Sequence, residues 1–229
     1  EYIMDFLKSY KKDIEKSGIS TDGSPPTHWF SSGNYVLNNI ISGDYNHALP
    51  QGRILALCGF SGAGKSFVCG NMLKQAQDEG AFVLVIDTEN ALDDAYLGGI
   101  GVDLSPSRMM YSSPTTIPQA VKIVSAFMRG YKAEYKDKAT APKVVICVDS
   151  LDMLMTQSSY DHLMKGETAG DQGQHAKQIK DMLKSFVQDI KGTNVSMIVT
   201  KQVYASAGIF GDPNVVAESM KYSCSTVLI

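Results

Sequence analysis

The chain predicts an α/β fold, a mostly parallel sheet with helices on both faces, and three observations predict it. Short runs rich in Val, Ile and Leu recur from residue 53 onward, separated by stretches of helical periodicity. That alternation is the pattern of strands covered on both sides. A glycine-rich loop lies between one such strand and the helix after it, and two other strands end in acidic residues. In open α/β sheets the carboxyl ends of the strands are where ligands bind.

With 229 residues, 44% of them hydrophobic, the chain can bury one sizeable core. Charged residues make up 20% and the net charge is -3, which excludes a disordered acidic tail and a uniformly basic nucleic-acid module. A local basic surface remains open to it.

In chain order, residues 1–18 predict an amphipathic helix, with Ile3, Phe6, Leu7, Tyr10 and Ile14 on one face and Gly18 at its end. The stretch 20–26, with Gly23 and the Pro25-Pro26 pair, has linker composition. Residues 1–30 therefore read as a helix and linker, a candidate subunit-contact arm that could equally pack back on its own core. Residues 31–229 read as the core itself. Strands are expected at 53–58, 81–87, 109–111, 143–149, 195–200 and 226–229, and helices at 65–79, 117–130 and 174–191. Pro118 opens the middle helix and Gly130 is placed to close it.

Cys58, Cys69, Cys147 and Cys224 have no metal-site spacing and read as free thiols of a reducing cytosol. No apolar run approaches the roughly 20 residues of a membrane span, so no membrane partner is expected. The chain opens on Glu1 and closes in an unfinished strand, the expectation for part of a longer protein whose C-terminal region is absent.

Gly59-Phe60-Ser61-Gly62-Ala63-Gly64-Lys65-Ser66 matches GxxxxGK[ST], with a strand before it and the helix 65–79 after it, and these residues with Phe67 read as nucleotide-binding. Such a loop turns successive backbone N–H groups toward phosphate and adds the partial positive charge of a helix N-terminus. Lys65 would reach the β- and γ-phosphates of ATP, and the Ser66 hydroxyl would ligate Mg2+.

Hydrolysis also needs a metal-holding acid and a group that activates water. Asp149, at the end of the strand 143–149, is the candidate for the metal. Past the strand 81–87, either Asp87 or Glu89 could polarise water, and spacing alone prefers neither.

Several motifs in order resemble the RecA recombinases. They are Ser31-Ser32-Gly33, 49–53 ahead of the loop, 86–93 continuing to Tyr96 and 101–103, and 144–150. Lys201-Gln202-Val203 followed by 208–213 completes the set. The divergence of the chain is similar to that of a phage UvsX-type branch. The resemblance implies that Glu89, rather than Asp87, activates water, that Asp93 and Tyr96 contact adenine, and that Gln202 senses the γ-phosphate. It implies DNA contacts at Gly208, Ile209, Phe210 and Gly211, and a subunit contact at Tyr222. It further implies ATP and Mg2+ as cofactors and a filament of self-associated subunits on single-stranded DNA. That filament would pair with homologous duplex DNA, assisted by mediator and single-strand-binding proteins. The location implied is the cytoplasm, the host's if the source is a phage. Lys201 stands where the family commonly has asparagine.

On the helix 174–191, Ala176, Ile179, Leu183, Phe186, Val187 and Ile190 form the expected buried face, with Lys177, Lys180, Lys184 and Lys191 in an arc beside it. The stripe reads either as a solvated face or as a phosphate contact. Lys177 and Lys184 match basic positions of the family beside a first DNA loop, placed at 157–173. Trp29 and Phe30 read as a clasp of the linker on the core, Met109, Met110, Met153 and Met155 as core packing, and His162 and His175 as incidental. A hexameric helicase motor and a regulatory ATP-binding paralogue share much of this pattern.

Overall fold

The structure, a computed structural model, describes residues 2–16, 25–168, 173–203, 220 and 223–228. Helix α1 (Tyr2–Lys16) precedes a short antiparallel pair, β1 (Trp29–Phe30) and β2 (Leu49–Pro50), with α2 (Tyr35–Ser42) between them. The main sheet is built from β3 (Ile54–Gly59), β4 (Phe82–Asp87), β5 (Met109–Ser112), β6 (Val144–Asp149), β7 (Val195–Gln202) and β8 (Thr226–Leu228). All paired neighbours run parallel, in the spatial order β5-β4-β6-β7-β3-β8. The α/β class read from the strand pattern is the fold observed.

The continuous apolar strands have a simple cause. Side chains alternate across a strand, so Ile54, Ala56 and Cys58 enter one core while Leu55 and Leu57 enter the other. Helix α3 (Lys65–Asp78) and α4 (Asp94–Ile100) cover the second face through Cys69, Met72, Leu73 and Leu97. Helices α5 (Ile117–Glu134) and α7 (Gln174–Ile190) cover the first through Val124, Met128, Leu183 and Phe186. Either face left bare would expose apolar area at a cost of about 25 cal/mol per Å2.

Several local expectations need correction. Helix α5 does not stop at Gly130. Tyr131 extends the Val124–Met128 stripe by one more turn, is buried, and its hydroxyl donates to Pro142 O at 2.8 Å. Burial of that ring outweighs the roughly 1 kcal/mol that a helical glycine costs. Part of the expected loop 157–173 is helix α6 (Gln157–Met164), N-capped by Thr156, whose Oγ1 accepts from Ser159 N at 3.1 Å. Met110 and Met153 are exposed rather than packed, while Met109 is buried. On α7, Ala176 is exposed and Met182 takes a place in the core.

Trp29 and Phe30 clasp the linker to the core as expected. Phe30 is buried, and Trp29 pairs with Pro50 and stacks on His47 at 6.0 Å between centroids. The four cysteines are free. Helix α1 keeps its apolar face exposed, with Phe6 63% and Tyr10 56% accessible. Among the described residues no helix is long and apolar enough to cross a membrane.

Candidate nucleotide site at the carboxyl edge of the sheet

Four loops meet where the strands end. The first leaves β3 at Gly59, which lies in register with Gln202 on β7. Gly62 and Gly64 have φ of +77° and +88°, a region L side chains avoid, so the loop can turn sharply into α3. Gly64 is the N-cap of α3 and provides no side-chain cap. The first-turn N–H groups of α3 are thereby left to an anion. The Lys65 ammonium folds back to donate to Gly59 O at 3.1 Å and Phe60 O at 3.0 Å. It thus stands over the loop, where arriving phosphate oxygens could replace those carbonyls. A cavity of about 450 Å3 lies alongside, lined in part by Phe60, Ala63, Lys65 and Val68. Phe60 and Phe67 are exposed.

The second and third loops are stitched together. Asp87 and Asp149 are register partners on β4 and β6. Thr88 N donates to Asp149 O at 2.7 Å, Thr88 Oγ1 donates to Ser150 O at 2.7 Å, and Ser150 N donates to Thr88 Oγ1 at 2.9 Å. The Asp149–Ser150 peptide is cis. The Ser150 hydroxyl donates to Glu89 Oε1, which brings the half-buried Glu89 to the end of β6.

The structure separates the two acids that spacing left equal. Asp87 is fully buried and its carboxylate is occupied. Oδ1 accepts from Glu89 N at 3.0 Å and Ala91 N at 3.3 Å, while Oδ2 accepts from Leu92 N at 2.8 Å and Tyr111 Oη at 2.9 Å. It is the scaffold of the Glu89 loop. Replacing Asp87 by Ala strands three backbone donors and a phenol, each costing about 1 kcal/mol or more. Unfolding stability is expected to fall by about 3 kcal/mol, and a denaturant midpoint matching wild type would contradict the scaffold role.

Asp149 differs in kind. It is buried, Thr200 Oγ1 donates to its Oδ1, and its Oδ2 has no hydrogen-bond partner. Burial raises its pKa above the ordinary carboxylate value, reinforced by Glu89 and Asp87 and opposed by the hydroxyls of Thr200 and Ser66. An acid whose pKa is raised by folding favours the folded state most below about pH 4, and that contribution is lost as pH rises through the raised value. At neutral pH the ionised group is thus a cost that a divalent cation would offset. A buried, orphaned carboxylate oxygen beside a serine hydroxyl is a donor set that fits Mg2+, with phosphate oxygens and water completing the shell. Asp149→Asn is expected to raise the melting temperature of the nucleotide-free protein by roughly 2–4 °C and to remove the extra stabilisation given by Mg·ATP. Equal stabilisation of variant and wild type by Mg·ATP would contradict a metal role.

The fourth loop begins at Gln202, whose N–H donates to Asp152 Oδ2 at 2.6 Å, and the Lys201 ammonium donates to Asp152 Oδ1. The pair is largely buried and fixes the end of β7 beside Gly59. Asp93 caps α4, Oδ1 accepting from Tyr96 N at 2.8 Å. Tyr96 is partly exposed, and burial, with Asp149 and Cys69 nearby, raises its pKa. Lys177 and Lys184 are exposed on α7, and Lys184 meets Asp181 at 3.5 Å. A pair this exposed contributes little. Gly208, Ile209, Phe210, Gly211 and Tyr222 lie outside the described residues.

Sequence reasoning missed Ser150, Thr88, Thr200 and Asp152 as positioning groups. The Asp149-Ser150 pair was visible, but a hydroxyl reaching across to another loop leaves no periodic signal.

The family model for the RecA N-terminal domain matches residues 4–226. Protein RecA of Laribacter hongkongensis is 30% identical over 166 residues, 72% of this chain and 43% of that protein. Protein RecA of Malacoplasma penetrans is 26% identical over 208 residues, 90% of this chain and 57% of that protein. Protein RecA of Clostridioides difficile is 30% identical over 166 residues, covering 72% and 43%. The chain spans about half the length of the curated relatives it matches.

Proposed function

The chain belongs to the RecA family, and from that premise we propose that it is the ATPase core of a DNA recombinase of the phage UvsX-type branch. The observation that carries the reading is the convergence of Lys65, Ser66, Glu89 and Asp149 at one sheet edge, with Asp149 Oδ2 buried and unpartnered. In this reading the core binds ATP with Mg2+, assembles as a filament on single-stranded DNA and pairs it with homologous duplex DNA. Mediator and single-strand-binding proteins would assist loading. Residues 31–229 form the ATPase unit and residues 1–30 an arm. The exposed apolar face of α1 supports a contact with a second copy.

Each residue has a task. Backbone N–H groups from Gly59, Phe60, Ser61, Gly62, Ala63 and Gly64 orient the phosphates, with Phe67 behind them in the first turn of α3. Lys65 exchanges its carbonyl partners for phosphate oxygens. Asp93 and Tyr96 hold the adenine. Ser66 and Asp149 would hold the metal, which would supply positive charge against the phosphates. Glu89 accepts a proton from the water that attacks the γ-phosphorus as the bond to the leaving ADP oxygen breaks, giving ADP and phosphate. Ser150 keeps the Glu89 carboxylate aimed. Gln202 reads the γ-phosphate and passes the difference to the segment after Val203, where Gly208, Ile209, Phe210 and Gly211 would meet DNA. Lys177 and Lys184 neutralise DNA phosphates, and Tyr222 contacts the neighbouring subunit.

The test is joint-molecule formation between circular single-stranded DNA and homologous linear duplex, with ATP and Mg2+. Joint molecules that need homology are the expected result. Unwinding of duplex without a homologous partner would assign the chain to helicase-type motors instead.

A further inference from the structure

The edge of the sheet opposite the nucleotide site, roughly 20 Å away along six-residue strands, concentrates positive charge that the nucleotide chemistry does not use. Cavities of about 660, 270 and 370 Å3 open there, around the amino ends of β3, β6 and β7. The first two share Lys138 and Asn194, and the second and third meet at the adjacent residues Lys191 and Gly192. Among the described residues their charged lining groups are Arg53, Lys132, Lys136, Lys138, Lys143 and Lys191 against Asp137, with Glu79 reaching the same edge where it meets His28 at 3.1 Å. The chain as a whole has 21 basic and 24 acidic residues, so this edge runs against the overall balance.

The lysines stand on built structure. Asn194 Nδ2 donates to Lys138 O and Ala141 O, each at 2.8 Å, and Tyr131 Oη holds Pro142 O at 2.8 Å. The Asp137 carboxylate is engaged in the same turn, Oδ1 accepting from Ala139 N at 2.9 Å. Next to the lysines, Tyr135 is 42% exposed with its ring 5.3 Å from that of Tyr131.

We propose that this edge is a second nucleic-acid groove, its basic side chains following the phosphate backbone and Tyr135 offering a ring to a base. Repeated point charges with an exposed aromatic among them suit single-stranded nucleic acid. The groove is formed by strand starts and loops, so it gives an acidic peptide no open strand edge along which to hydrogen-bond. The inference rests on charge and shape here and not on the recombinase reading.

The test uses fluorescence anisotropy of a labelled oligothymidylate over a salt series with the full-length protein carrying Lys177→Ala and Lys184→Ala, so that binding at the proposed first DNA site does not mask the groove. Lys132, Lys136 and Lys191 are all exposed, and replacing them together by Ala is expected to weaken binding at low salt at least tenfold. The slope of log affinity against log salt should become shallower by about 2. Tyr135→Ala should weaken binding several-fold with the slope unchanged. Affinity and slope unchanged from that parent when Lys132, Lys136 and Lys191 are also replaced would overturn the groove, as would polyglutamate displacing oligothymidylate of equal charge. Stimulation of ATP turnover by DNA is followed in parallel. Stimulated turnover with silent groove variants removes this inference and leaves the recombinase reading. Groove-dependent binding without stimulated turnover does the reverse.

Discussion

Glu89→Gln is expected to lower ATP turnover by about 10^2- to 10^4-fold, the range general-base catalysis supplies, while leaving ATP affinity within a few-fold of wild type. Gln preserves the shape of Glu89 and can still accept from Ser150, whose hydroxyl meets Oε1, so the stitched loops should persist. What disappears is a basic oxygen for the proton of the attacking water. Pre-steady-state hydrolysis together with equilibrium binding of a fluorescent ATP analogue separates the two quantities. Unchanged turnover would remove Glu89 from the chemistry and direct attention elsewhere on the 87–93 loop. Asp87 would not replace it, since its carboxylate is already shared among four donors inside the core.

The second large effect is at the phosphate loop. Lys65→Ala is expected to weaken ATP binding by about 10^2-fold or more, because charge-assisted hydrogen bonds to phosphate are each worth about 1.5–3 kcal/mol. In the structure Lys65 holds Gly59 O and Phe60 O, so those carbonyls lose a donor as well. Both lie at the solvent-facing edge, where water can take its place, and the fold should be retained. Isothermal titration with Mg·ATP measures the affinity. An unaltered dissociation constant would contradict the phosphate role, whatever happened to turnover.

The sequence made some of this legible and concealed the rest for identifiable reasons. The sheet could be read because its strands are buried on both faces, so 54–58, 82–86 and 144–148 appear as unbroken apolar runs. The phosphate loop could be read because its chemistry is local, eight consecutive residues whose backbone does the binding. The two strand-end acids looked alike, since both follow an apolar strand. Only their partners distinguish them: Asp87 faces inward to four donors, and Asp149 keeps one oxygen unpaired. Ser150, Thr88 and Thr200 act across loops distant in sequence, where no spacing rule applies. The Gly130 stop failed because a tertiary contact, Tyr131 to Pro142, outweighed a local propensity. The pairing of Lys201 with Asp152 likewise joins residues far apart in the chain.

The most direct test of the account is steady-state ATP hydrolysis by the full-length protein, with and without single-stranded DNA, on wild type and Glu89→Gln. Single-stranded DNA is expected to stimulate turnover strongly in wild type, and turnover is expected to be lost in the variant under both conditions. ATP binding with turnover indifferent to DNA would contradict it and would make the chain an ATP-binding switch instead.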